Sequence, residues 1–251
     1  MRFVRLVALS LLLPGVAAAQ GMMSGVDLST PAFTAAEFSR AQVEAKIAQG
    51  GPVDLSDTSL NGLDLSGLDL SGANLRAARL NHARLRGTKL AGATLDQAWL
   101  LKADLTGADL SGAKMFATQA MGAIFDRADF LRARLAGDFS NASFRGADFS
   151  GADASADMRN QSMGLMHAVM RSADLSGAKA IRADFSRVDL QFATLSHADF
   201  SGADLFRADA SGADLRGAVF AGARTDEMDI SGARVDAEIG GAVNADRARR
   251  E

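Results

Sequence analysis

A five-residue period governs most of this chain of 251 residues. Leu stands at positions 55, 60, 65, 70, 75, 80, 85, 90, 95, 100, 105 and 110, and Met115, Ala120, Phe125, Phe130 and Leu135 continue the series. Two residues earlier comes a small residue, as at Ala73, Ala83, Ala93 and Ala103, and Asp or Asn often lies between, as in Ala103-Asp104-Leu105. In an extended chain, residues two apart point to one side and the residue between them points away. A 3.6-residue helix cannot hold a five-residue repeat on one face for so long. The chain must therefore coil, stacking Leu on Leu and Ala on Ala along an interior column. Successive coils then hydrogen-bond as parallel strands, each short side forming a narrow sheet.

Composition narrows the function classes. With 6% aromatic residues and no Tyr, a core built on large rings is not expected. Three Pro and 23% charged residues argue against a disordered or collagen-like chain. Zero Cys excludes disulfides, thiolate metal sites and a Cys nucleophile. A net charge of −3 offers no basic surface for nucleic acid. His82, His167 and His197 are scattered, with no nucleophile–base spacing or phosphate loop around them. Asp184, Asp189, Asp199, Asp204, Asp209 and Asp214 each precede a central residue, where a carboxylate can satisfy turn backbone. The chain reads as a protein that is not an enzyme.

The pattern A-[DN]-L-x-x resembles that of the pentapeptide-repeat proteins, over about residues 53–236. The resemblance implies an all-β fold, a right-handed quadrilateral parallel β-helix with four pentapeptides per coil. About nine coils would make a rod roughly 40 Å long at ~4.8 Å per strand spacing. The period slips twice, near 135–139 and 154–170; Phe139, Phe144, Phe149, Ala154, Met158 and Met163 read as the central residues of the middle stretch. Such slips should bend the rod or extrude a corner. Some relatives mimic DNA and protect gyrase, which implies a strongly acidic cytoplasmic rod. Residues 51–138 carry ten basic and ten acidic side chains and residues 139–251 carry 13 and 17, so that role is disfavoured.

The ends differ from the body. Residues 1–19 have the form of a secretory signal peptide: Arg2 and Arg5, an apolar run from Val4 to Leu13, then Ala17-Ala18-Ala19 before Gln20. The run is shorter than the ~20 residues a bilayer span needs, so no membrane insertion is expected after cleavage. A periplasmic or secreted location follows. Residues 20–52 form a leader and a short N-terminal capping helix, with Thr34 and Glu37 as its capping box and Phe38, Val43 and Ile47 on one face. Residues 237–251 read as a C-terminal cap or tail with too little apolar surface for firm dimerisation, which leaves a monomer or weak homodimer.

Two constellations carry functional expectations. With four pentapeptides per coil, Trp99 and Leu101 lie outward below Gln119 and Met121, with Phe116 and Ile124 on adjoining sides. Contiguous apolar area in a repeat that otherwise faces water with Ser, Asp and Arg suggests a contact site for an unidentified protein partner. The alternatives are a terminal segment folded over it, or two rods paired there. The second constellation is Met163, Met166, His167 and Met170, joined by Met158. It resembles the Met/His motifs of periplasmic copper- and silver-binding proteins, and soft thioethers with one imidazole suit Cu(I) or Ag(I). Against that, Met is pliable enough to fill an irregular core. The leading expectation is an exported scaffold or interaction module without a cofactor, with copper or silver binding as the alternative.

Overall fold

The computed structural model describes residues 35–156, 166–236, 241–243 and 248. The expected signal peptide, Thr34, Met158, Met163 and most of the C-terminal tail lie outside them. The chain winds into a parallel β-helix whose regular coil spans four pentapeptides. Asp54 bridges Asn74, Trp99 bridges Gln119 and Asp209 bridges Asp229, all parallel. The bonds explain the short elements. Leu55 N–H donates to Asn74 O at 2.8 Å and Asn74 N–H donates to Val53 O at 2.9 Å, so one residue per pentapeptide is gripped through both its backbone groups. The remaining residues turn the corner: Ala73 N–H closes on Leu70 O at 3.0 Å. The sides are therefore mostly single bridges rather than the narrow sheets expected.

Inside, the small and central residues form one continuous core running from Val53 to Ile230. Its middle corrects the expectation drawn from the low aromatic content. Phe125, Phe130, Phe139, Phe144 and Phe149 are fully buried. Phe125 stacks on Phe144 at 4.9 Å and Phe130 on Phe149 at 4.7 Å, both within 6° of parallel. The coil spacing is itself close to the stacking distance of aromatic rings, so a column of Phe is as admissible as a column of Leu.

The outward Asp residues are structural, and the bond that occupies them is visible. All six Asp residues named from the sequence accept the backbone N–H two residues on, from Ser186, Gln191, Ser201, Phe206, Ser211 and Arg216. The corner residue two beyond each centre is left-handed, with φ near +60°. Gly fills many of these corners, but Lys102, Arg127, Arg132, Arg182, Phe192 and His197 also adopt this conformation. A Cβ placed on the Gly one coil later would meet each of those six side chains, from Lys102 below Gly122 to His197 below Gly217. In all six the lean runs toward the C-terminus.

The first slip is a bulge. Strands β1 (Lys114–Gln119) and β2 (Arg134–Asp138) pair with Phe116 opposite Ala136 and Thr118 opposite Gly137, skipping Ala117. The next coil is one residue short, Ile124 bridging Ser143 instead of position 144. Gly137 occupies an inward small-residue place so tight that a Cβ there would collide with the Thr118 carbonyl. The second slip is an excursion. Strand β3 (Ala168–Val169) pairs with β2, Gly137 opposite Ala168. Across it Ser143 bridges Asp174, where a regular coil would bring position 163. Ala168 N–H donates to Ala154 O at 3.1 Å, the bond an ordinary corner makes. The column thus passes from Ala154 to Met170, and Met158 and Met163 fall outside the described residues instead of serving as observed centres.

At the N-terminal end stands helix α1 (Arg40–Ala48). Its capping box is Ser39 and Gln42 rather than Thr34 and Glu37: Ser39 N–H donates to Gln42 Oε1 at 2.7 Å and Gln42 N–H donates to Ser39 Oγ at 3.3 Å. Glu37 instead binds the first coils, its carboxylate accepting Ser59 N–H at 3.1 Å and Arg79 at 3.0 Å. Val43 is buried and Phe38 and Ile47 pack against the core, the face expected. Arg40 donates to Asp64 O and Lys46 to Asp54 O, carbonyls that have no preceding coil to bind. At the other end residues 241–243 add a rung, Val243 bridging Arg224.

Candidate functional site

The apolar residues picked from the sequence do not form one open patch. Ile124 is 39% exposed, Trp99, Phe116 and Met121 are half-buried, and Leu101 is enclosed at 9%. Alternation along the strand sets direction, and the column above and below sets exposure. Leu101 is held between Asn81, whose Oδ1 accepts Leu101 N–H at 3.1 Å, and the coil of Met121. Phe192, 61% exposed at a left-handed corner, escapes the sequence pattern because the repeat places Gly there.

The Met/His constellation is likewise divided. Met170 is buried at its interior place, Met166 and His167 are half-buried at the re-entry of the excursion, and Met163 lies outside the described residues. A surface ion would find Met166 and His167 but not Met170. Among the described residues, no three His, Asp or Glu side chains gather as a metal set.

The richest surface chemistry lies where the excursion leaves the rod. Position 187 follows His167 by one coil length, and Arg207 and Glu227 continue the same corner column. Arg207 donates to Glu227 at 2.7 and 3.2 Å, a two-point pair that raises the guanidinium pKa. Beside them Phe206 is framed by the guanidinium groups of Arg187, Arg207 and Arg224 at 5.6, 4.9 and 4.8 Å from its ring centre. Arg224 is in turn anchored to Asp204 at 2.9 Å. A shallow cleft of about 420 Å³ is lined by Ala156, His167, Arg187, Arg207, Asp209, Glu227 and Asp229 among others, and a neighbouring one of about 440 Å³ by Phe206, Arg224, Asp226 and Glu227. This ledge combines Arg planes, an aromatic ring and carboxylates, with its side chains largely held in place by one another. It has the make-up of a recognition surface. Nothing among its described residues pairs a nucleophile with a base. The signal that could have revealed it is the absence of Gly at three corners of one column.

Comparison with known proteins bears on the fold. The family model described as "Pentapeptide repeats" matches eight copies, over residues 54–90, 88–115, 123–156 and 183–222, more than half of the chain. No curated protein matches it. Among solved structures it is similar to HetL, a pentapeptide repeat protein involved in heterocyst differentiation regulation from the cyanobacterium Nostoc sp. strain PCC 7120, at 24% identity over 84% of this chain and 94% of that one, with a TM-score of 0.46. It is also similar to QnrB1, a plasmid-mediated fluoroquinolone resistance protein, at 15% identity over 80% and 90%, with a TM-score of 0.43.

Proposed function

Because this chain belongs to the pentapeptide-repeat family, we propose that it is a right-handed, four-sided β-helix acting as an exported, non-catalytic scaffold that holds side chains at fixed spacing for a protein partner. The observation that carries this reading is the ledge around Phe206, Arg187, Arg207 and Arg224 beside the spliced-in excursion. Arg and aromatic side chains dominate the energetics of protein contacts, and here they stand on a rigid column, so little ordering entropy opposes binding. Helix α1 serves as the N-terminal cap, through Arg40 and Lys46 on otherwise open carbonyls. Residues 1–19 direct export, to the periplasm or beyond. The near balance of charge and that signal speak against gyrase protection by DNA mimicry.

The test uses the mature protein as bait in an extract of its own compartment, with cross-linking and recovery. An Arg187→Ala, Phe206→Ser variant should lose the recovered partner at least about tenfold, as expected when two contact anchors are removed, while its thermal melt stays within a few degrees. Undiminished recovery by the variant would reject the ledge as the contact site.

A further inference from the structure

One corner column departs from the repeat twice in the same way. Backbone bonds place its corners in order: Gly112 N–H donates to Leu131 O at 2.8 Å, Gly151 N–H to Ile181 O at 3.0 Å and Arg182 N–H to Ser201 O at 2.9 Å. The dipeptides of this column that begin at residues 71, 91, 111, 150, 201 and 221 are Ser-Gly or Ala-Gly. Between them come Leu131-Arg132 and Ile181-Arg182, one on each side of Ser150-Gly151. Each sets a half-buried apolar residue beside an exposed arginine on an edge that is otherwise bare. Arg132 and Arg182 hold φ of +55° and +53°, a strain that Gly does not carry.

The cations of this edge also lack counter-charges. Arg127, on the neighbouring corner of the coil of Arg132, and Lys179, three residues before Arg182, are exposed too. None of these four forms an ion pair among the described residues, whereas Arg134, Arg145 and Arg224 are tied to Asp153, Asp174 and Asp204. The nearby carboxylates serve backbone corners instead. Asp126 accepts Arg145 N–H at 3.2 Å, Asp129 accepts Leu131 N–H at 2.8 Å, Asp148 accepts Ser150 N–H at 2.9 Å and Asp184 accepts Ser186 N–H at 2.9 Å. What remains unmatched on this edge is therefore positive.

The spacing selects the complement. Arg132 and Arg182 are two coils apart, about 10 Å at the strand spacing. A convex edge meets one line of a partner's side chains. A helix sets residues i and i+7 on one such line, about 10.5 Å apart. An extended segment covers that distance in three residues, but turns the two side chains to opposite sides. A second copy of the rod fits worse, because a twofold pairing of this edge with itself sets Arg132 against Arg182.

We propose that this edge docks an acidic helix of a partner protein, with carboxylates seven residues apart on Arg132 and Arg182 and the apolar residues between them on Leu131 and Ile181. Each guanidinium can grip its carboxylate at two points. Arg182 and Arg187 occupy successive corners of one coil, so the edge lies one corner from the Phe206 ledge. The scaffold then carries two contact sites side by side.

The test is a fluorescein-labelled helical peptide with Glu at i and i+7, Leu at i+3 and i+4, and Ala and Gln elsewhere, titrated with the mature protein and read by anisotropy. Arg132→Gly with Arg182→Gly restores the ordinary corner, so this variant should keep its melting temperature yet bind at least about tenfold more weakly. A peptide whose second Glu is moved to i+5 turns it off the line and should bind the unaltered protein about fivefold more weakly. Removing two cations elsewhere, by Arg76→Ser with Lys102→Gly, should change binding by less than about twofold. Undiminished binding by the Gly variant, or equal binding of the two peptides, would overturn the helix site. A loss as large on removing Arg76 and Lys102 would overturn it too, leaving only net charge. Attachment to phosphatidylglycerol vesicles without binding of either peptide would assign the edge to a lipid surface instead. Arg187→Ala with Phe206→Ser should leave the peptide's binding unchanged, so edge and ledge fail separately.

Discussion

A left-handed corner asks two things of its residue: tolerance of positive φ and room for a side chain. Gly212 meets both for the coil beneath it. A Cβ at Gly212 would lie 2.6 Å from a ring carbon of Phe192, and its φ is +68°. Gly92 has φ +66° with nothing within 4 Å. Gly92→Ala should therefore cost only backbone strain, about 1 kcal/mol, whereas Gly212→Ala adds a clash for a total of about 2–3 kcal/mol. Removing the ring by Phe192→Ala should return Gly212→Ala to the cost of Gly92→Ala, a coupling that a double-mutant cycle in denaturant reads directly. Additive losses would show that the ring swings aside. The Asp positions were legible from the sequence for a related reason: an Asp before each centre has one good partner, the N–H two residues on, whatever the coil around it. Leu101 was not, because its enclosure depends on residues a full coil away.

At the scale of the element, the excursion is the part that reading along the chain could not resolve. Met158 and Met163 fit steps of four and five residues, and Met suits an interior place as well as a surface one, so the period alone accepts them as centres. The bond from Ala168 N–H to Ala154 O makes a normal corner and carries the described column from Ala154 to Met170, while Met158 and Met163 lie outside the described residues. The Phe206 ledge was hidden likewise, because residues 187, 206, 207, 224 and 227 meet only once coils are stacked. The splice makes a sharp prediction. Deleting residues 157–167 joins Ala156 to Ala168 and returns the step from Ala154 to Met170 to the regular pentapeptide. That variant should fold with a melting temperature no lower than the parent's. Deleting one residue fewer breaks the register and should lower the melting temperature markedly, since a one-residue shift turns inward side chains outward. Equal melting of the two variants would mean that the neck is not a true corner.

For the whole molecule, repetition turns small local effects into collective ones. Hydrogen bonds to Asp54 from Ser56, to Asp64 from Ser66 and to Asp69 from Ser71 hold these carboxyls below their usual range. The Arg216 side chain brings Asp214 to about 2. A carboxyl depressed in the folded state makes unfolding take up protons, so its contribution is complete above about pH 4 and is lost as the pH falls toward 2. Thermal melts should be insensitive to these groups from about pH 5 to 7 and decline below about pH 4, and Asp214→Asn should blunt the decline. A melting temperature that holds steady down to pH 2 would show that the ladder carries no such linkage. The uniform lean of the corner side chains has a different consequence. Lys102, Arg127, Arg132, Arg182, Phe192 and His197 all reach up to Gly residues that come later in the chain. The rod is thus a one-way staircase in which each step finds its support already laid below. A chain delivered from its N-terminus can dock coil after coil as it emerges, waiting one turn of the rod for each landing and longer at the excursion, where Ser143 must wait for Asp174. Threading in the opposite direction would present each Gly before the side chain that must settle beneath it, so the order of delivery is written into the corners.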